Sequence, residues 1–366
     1  MSVWDWVHEF EDEVESRGDG ERARLLRLYR NAMDFKESNP DQAVARLLEG
    51  RALAERLGES WWVLFFDHWR LQILLHFKGD YGAALDLAVR AALEARKPAY
   101  AELPQRVCLH EDLLYCHVGV DPWGNAAAIR DALAFMQAEA GPELECRYCV
   151  QVCQTDFDYA CGRLDEAETA ARRSLALVEG APPTTRAHYG MDAHSKLCAI
   201  AYHRRDWDEL AEQAAWGERL NLITNRPRLR AEFVLWQAFL ARLSGEEEQA
   251  RRLYHRAVAL IGRGDALPDR TYFDALCAYH ERGGDLETAL KTRERELEAL
   301  AGKGISNRES HAQVERCRLL EQLGRLTSFD LAAARNVVGP LGPDAPYNAA
   351  LNAIAARSTW TEGPSS

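Results

Sequence analysis

The stretch Gly245-Glu246-Glu247-Glu248-Gln249-Ala250-Arg251-Arg252-Leu253-Tyr254-His255-Arg256-Ala257-Val258-Ala259-Leu260 decides the fold. Gly245 can reverse the chain with φ above zero, where a residue with a Cβ is strained. Ala250, Tyr254, Ala257 and Leu260 then recur at three- and four-residue spacing, the mark of a helix with one apolar face. The same turn stands at Gly79, Gly119, Gly162, Arg205, Gly284 and Gly324. With Gly245 included, the steps are 40, 43, 43, 40, 39 and 40 residues. Five residues after each turn lies a small or apolar residue: Ala84, Gly124, Ala167, Leu210, Ala250, Ala289 and Phe329. A chain with this self-similarity is a stack of helix pairs, and such stacks mostly bind partners rather than transform them.

The rest of the chain fits that reading. β-branched residues are few, and Ala, Leu, Arg and Glu dominate, which favours helix. Asn39-Pro40-Asp41 starts a helix with Pro in its first turn. Asp80 is placed to cap the helix that follows Gly79. Between pairs the chain turns at Gly58-Glu59-Ser60, Lys97-Pro98, Gly141-Pro142, Pro182-Pro183, Asn225-Arg226-Pro227, Leu267-Pro268 and Ser306-Asn307. The spacing predicts an all-α solenoid of about eight antiparallel helix pairs, at 20–57, 59–97, 100–140, 142–180, 184–224, 226–262, 268–302 and 306–338. Residues 1–19 hold an N-terminal capping helix, and 20–338 are the repeat region. Residues 339–366 form a Pro/Gly-rich segment with a weak helix near Tyr347–Ala356 and a disordered tail from Thr359.

The 366 residues suffice for one long solenoid. The 57 acidic and 45 basic residues give a net charge of −12. That argues against binding a nucleic-acid duplex, which needs clustered Lys and Arg to displace counterions. No run of 18 apolar residues exists to span a bilayer. Met1 to Trp6 lacks the basic start and apolar core of a secretion signal, so a cytoplasmic location is expected. The nine cysteines lie in helical patterns, which suits reduced thiols better than a disulfide framework.

Ala250-x-x-x-Tyr254-x-x-Ala257, Ala84-x-x-x-Ala88-x-x-Ala91 and Ala167-x-x-x-Ala171-x-x-Ser174 resemble the second helix of a tetratricopeptide repeat. Gly245, Gly79 and Gly162 match that family's turn. The first-helix pattern of the family is eroded here, and the step of about 40 residues exceeds the family norm of ~34. The chain is similar to the long-repeat bacterial branch. The resemblance covers roughly residues 20 to 338. It implies a right-handed solenoid whose first helices line a concave surface, where the family holds a peptide or partner helix.

First-helix positions that vary in chemistry are the candidates for that surface. Eleven residues before each turn stand His68, Cys108, Gln151, His194, Val234 and Phe273. Nine before stand Arg70, His110, Cys153, Lys196, Trp236 and Ala275. From these rows Arg70, His110, Gln151, His194, Lys196 and Trp236 are the expected groove residues, since Arg and Trp are enriched at binding hot spots. The opposing reading is ordinary packing between helices. The aromatic run Trp61-Trp62, Phe65, Phe66 and Trp69 is either a helix buried on two sides or an exposed contact patch.

Catalytic patterns are scarce. Cys146, Cys149 and Cys153 share one helix face, and His110, Cys116 and His117 form a second cluster; packing explains both better than a metal does. Gly262-Arg263-Gly264 and Gly302-Lys303-Gly304 lack the full phosphate-cradling motif. Asp156 and Asp158 point to different helix faces and are expected in solvent. The chain therefore reads as a non-enzymatic scaffold for a peptide or protein, with no cofactor or metal. The alternatives are a peptide-responsive regulatory sensor and, third, a metal-dependent enzyme built on the Cys/His clusters.

Overall fold

The computed structural model describes residues 2–141, 144–224, 226–261 and 267–358. Pro142, Asn225, the turn expected at Gly262-Arg263-Gly264 and the tail from Thr359 lie outside them. Among the described residues the chain forms helices and no strand. In order they are α1 (Val3–Arg17), α2 (Gly20–Phe35), α3 (Pro40–Leu57), α4 (Ser60–Ile73), α5 (Tyr81–Ala95), α6 (Arg106–Val120), α7 (Ala126–Glu139), α8 (Leu144–Ala160) and α9 (Leu164–Val178). There follow α10 (Pro183–Arg204), α11 (Trp207–Thr224), α12 (Pro227–Leu243), α13 (Glu247–Ile261), α14 (Arg270–Arg282), α15 (Leu286–Leu300), α16 (Ser306–Gln322), α17 (Ser328–Val338) and α18 (Tyr347–Arg357). A π-helical turn, Leu74–Lys78, extends α4, and a 3₁₀ turn, Pro98–Tyr100, precedes α6.

From α2 onward the helices pack as antiparallel pairs, each pair against the next. The result is an α-solenoid. Local chemistry sets the ends. Asp19, Asn39, Asp80 and Asp285 accept hydrogen bonds from the first free N–H groups of the helices they cap. The turns at Gly79, Gly162, Gly245, Gly284 and Gly324 have positive φ, and Arg205 takes the same conformation with φ 58°. The residue five places on is wholly buried at Ala84, Ala167, Leu210, Ala250 and Ala289. Small side chains there let paired backbones approach.

Two repeats depart from the count. Gly119 lies inside α6, against the Tyr81 ring, and the turn runs from Asp121 to Asn125. Asp121 holds it by accepting from the N–H groups of Trp123 and Gly124. The buried residue five beyond Gly124 is Ile129. In the last repeat Phe329 is 80 % exposed and Leu331 is buried instead. There Thr327 and Asp330 form a capping box that delays the start of α17.

The aromatic run belongs to the interior. Trp62, Phe65 and Phe66 are fully buried. Trp6 and Phe10 of α1 lie 5.0 and 4.8 Å from the Trp62 ring, and Tyr29 of α2 lies 5.0 Å from Phe65. α1 thus covers the outer face of α4.

The solenoid also meets itself. The turn before α5 reaches the loops before α14 and α16, far along the chain. The N–H groups of Tyr81 and Gly82 donate to Lys303 O at 2.8 and 3.2 Å. Leu267 N–H donates to Phe77 O at 3.4 Å, and Lys303 Nζ donates to Lys78 O. One turn later in the stack, Asn307 Nδ2 donates to Val118 O, and Gly342 N–H donates to Asp121 Oδ2 at 2.8 Å. Helices α6 and α16 touch directly. One superhelical turn therefore closes along a seam.

Two glycines mark close interhelix contacts with fully buried rings. A Cβ on Gly50 would stand 2.3 Å from the Phe66 ring, and one on Gly217 2.3 Å from the Phe233 ring. Both rings are fully buried and have nowhere to move. Gly50→Ala and Gly217→Ala should each lose about 1–3 kcal/mol in urea unfolding. Gly180→Ala, where a Cβ meets nothing within 4 Å, should lose none of that overpacking term. Arg205→Gly should gain about 0.5–1 kcal/mol in the same measurement, because glycine adopts the left-handed turn without strain.

Candidate functional site

The first helices α4, α6, α8, α10, α12, α14 and α16 form the inner wall. A polar ladder joins them. His68 Nδ1 and Asp112 Oδ2 lie 2.8 Å apart between α4 and α6, and Gln72 Nε2 donates to the other Asp112 oxygen at 2.7 Å. Lys196 Nζ of α10 pairs with Asp156 Oδ1 of α8 at 2.8 Å. Ser195 and Thr271, from α10 and α14, donate to the two oxygens of Glu232 on α12 at 2.8 and 2.6 Å. His311 of α16 lies 3.1 Å from Asp274 of α14. Arg293 also binds Asp274, and it binds Glu296, which in turn accepts from Arg308. Buried polar groups are stable when partnered in this way.

The electrostatics follow from burial plus these partners. Burial alone would lower the His68 pKa, but the charge and hydrogen bond of Asp112 outweigh it and leave it raised. Lys196 behaves alike: Asp156 overrides its desolvation and holds it above the ordinary lysine value. Burial pushes the Glu111 and Glu232 carboxyls up to about 7. At His76 burial wins and lowers the pKa, against the fields of Asp269, Asp112, Asp192 and Asp156. The Tyr115 phenol is pushed well up by burial and by Asp156, Glu111 and Asp192 nearby. Tyr148 is 4 % exposed; its hydroxyl has no hydrogen-bond partner, and Asp192 and Asp156 act on it. Carboxylates from α6, α8, α10 and the loop before α14 thus converge on a tyrosine-rich stretch of wall.

The six expected groove residues are not brought together. Lys196 alone stands on the ladder. Arg70 is half-buried; burial lowers its pKa, and the charges acting on it are Asp67 of its own helix, Arg51 of α3 and Arg90 of α5. His110 is wholly buried, stacks on Phe135 of α7 at 3.7 Å and accepts from Arg96 Nε at 2.9 Å; burial lowers its pKa to about 4. Gln151 lines two adjoining clefts of about 500 and 720 Å³ beside α7 and α9, with Gln137 and Arg173. His194 bonds Gln213 of α11 at 2.6 Å and lies parallel to the Trp216 ring. Trp236 is fully buried, 4.9 Å from Tyr202.

The geometry explains the scatter. Positions eleven and nine before a turn are about 200° apart on a helix and cannot share a face. The π turn inserts one residue and rotates α4 by about 100° relative to its turn. In α6 the count starts from a glycine that is not the turn. Asp156 and Asp158 are also not in solvent: Asp156 pairs with Lys196, and Asp158 is 4 % exposed and accepts from Arg163 and Gln154. What the sequence count missed is Glu111, Tyr115, Asp192 and Glu232, whose only signal was polarity on otherwise apolar first helices.

Among the described residues no group of His, Cys, Asp and Glu is arranged to hold a metal ion. No described helix is long and apolar enough to cross a membrane. No protein-family model matches the chain, and no curated protein matches it. Among solved structures, the chain aligns with a "circular tandem repeat protein with novel repeat topology and enhanced subunit contact surfaces" over 95 % of each chain, at 14 % identity and a TM-score of 0.23. At that score the likeness carries no weight, and the fold rests on this chain's own helix order and packing.

Glu232 offers a clean stability test. Its folded pKa of about 7 stands above the ordinary 4.5, so the native state holds the proton more tightly. The stability it contributes is full below the unfolded value and is lost as pH rises through the folded one. Between about pH 5 and about pH 8 the wild type should lose up to about 3 kcal/mol that Glu232→Gln keeps, read as the difference between their urea-unfolding curves.

Proposed function

We propose that the chain is a non-enzymatic binding scaffold that takes an extended peptide segment of a partner along its inner wall. The carrying observation is the chemistry of that wall. Glu111, Asp156, Asp192 and Asp269 bear on His76, Tyr81, Tyr115 and Tyr148, and the cations beside them are engaged: Lys196 with Asp156, Arg226 with Asp192, Arg308 with Glu296 and Arg228 with the His76 and Leu267 carbonyls. Carboxylates and tyrosine faces suit Lys and Arg side chains, by charge and by cation–π contact. The resemblance of the second helices to tetratricopeptide repeats supports the same reading, as does the net charge of −12, which disfavours nucleic acid. The reading assigns no catalytic residue, cofactor or metal, and it places the protein in the cytoplasm. A peptide-responsive sensor is the second reading, and the self-contact of the solenoid favours it.

The test is fluorescence polarisation with labelled extended peptides that carry net positive, zero or negative charge. The positive set should bind best and weaken with salt. Asp156→Asn with Asp192→Asn should weaken it about tenfold, ~1.4 kcal/mol. Reversing Arg70, on which none of these four carboxylates acts, should change nothing. Equal binding of all three sets, or indifference to the paired Asn variant, overturns the assignment of the wall.

A further inference from the structure

The seam has the construction of a contact made to separate. In the pairs, apolar side chains interlock. At two places on the seam, backbone meets backbone. A Cβ on Gly304 would stand 3.0 Å from Gly82 N, and one on Gly342 2.6 Å from Gly124 N. Glycine faces glycine at both places, so no side chain interlocks there.

The hydrogen bonds are of the kind that water can replace. The last carbonyls of a helix and its first N–H groups have no partner within the helix. Here the far repeats supply partners for both. Arg228 Nη1 reaches His76 O at 3.4 Å and Leu267 O at 3.1 Å, Leu267 N–H reaches Phe77 O, and Lys303 Nζ reaches Lys78 O. On the other side of the turn, Lys303 O accepts from Tyr81 and Gly82, the first two residues of α5. Apolar contact is confined to two places: Tyr81 against the cluster of Leu267, Leu300 and Ile305, and Trp123 against the cluster that holds Leu341, Ala345 and Tyr347. Opening therefore exposes these two patches, less than parting a helix pair would, and returns helix-end groups to solvent, where such groups ordinarily are.

We propose that this seam is a gate. Shut, it completes the wall around the acidic, tyrosine-rich face; open, it admits or releases what that face holds. The proposal rests on the reading of that wall as the binding surface, and it supplies the regulation of that site.

The amides of Tyr81 and Gly82 test it without any ligand. As the first two of a helix, they are protected from hydrogen exchange only while they donate to Lys303 O. In the wild type they should be protected relative to the first two amides of α15, yet exchange faster than the Val234 amide in the middle of α12. Gly342→Ala, which drives a methyl group into the Gly124 backbone, should raise their exchange about tenfold. Arg228→Ala should act in the same direction and decides the matter if the first variant does not fold. Gly180→Ala should leave them unchanged. Labelling of Cys108 and Cys149, on the α6 and α8 wall, by a charged maleimide should accelerate with the exchange. Exchange of Tyr81 and Gly82 no faster than Val234 means a static seam and overturns the gate. No protection at all means no shut state and overturns it too, as does faster exchange with unchanged labelling. Peptide binding in the polarisation assay, together with any of these, sinks the gate and leaves the binding reading intact.

Discussion

Close approach of helix backbones is the constraint on which the structure depends. No helix pair here can bury its apolar stripe alone, so each must lie flat on the next. That requires small residues where helices cross. Ala84, Ala167, Ala250 and Ala289 supply them inside pairs, and Gly50 and Gly217 supply them under the rings of Phe66 and Phe233. Aromatic bulk is then free to fill the spaces between pairs, as Trp62, Phe65, Trp236 and Phe239 do. Ahead of the first pair, Trp6 and Phe10 of α1 pack on Trp62 in the way a neighbouring pair would.

The inner wall obeys a different rule. It carries ionisable groups away from bulk water, and each rung bonds across to the neighbouring repeat. Asp112 serves two residues of α4, Glu232 serves both α10 and α14, and Asp274 serves Arg293 and His311. A carboxylate with two partners fixes the register of adjacent first helices, because a one-residue slip breaks both bonds at once. Beside the ladder stand Glu111, Asp156, Asp192 and Asp269, of which Asp156 pairs with Lys196 and Asp192 with Arg226.

The pattern of turns made the repeat architecture legible, because glycine and small-residue positions are local signals. It also placed most helix pairs within a few residues. It failed where one inserted residue changed the phase without changing the period. The π turn at Leu74–Lys78 moved Arg70, and the Asp121–Asn125 turn moved His110. The inner wall was less legible still. A polar residue on a first helix looks the same in sequence whether it faces solvent, a neighbour or the axis, and only superhelical curvature separates the three. Contacts such as Lys303 with Tyr81 have no local trace at all.

Seam partners stand far apart in the chain: Lys78 with Lys303, and Asp121 with Gly342. Every other major contact lies between neighbours and can form as each pair leaves the ribosome. The ring cannot. At ordinary elongation rates the 221 residues from Asp121 to Gly342 take roughly 10–45 s to synthesise, and through that interval the nascent chain is an open spiral with its acidic lining uncovered. For the proposed partner, threading the spiral before it has a far edge to close against and entry into the finished ring would be physically distinct routes to one complex.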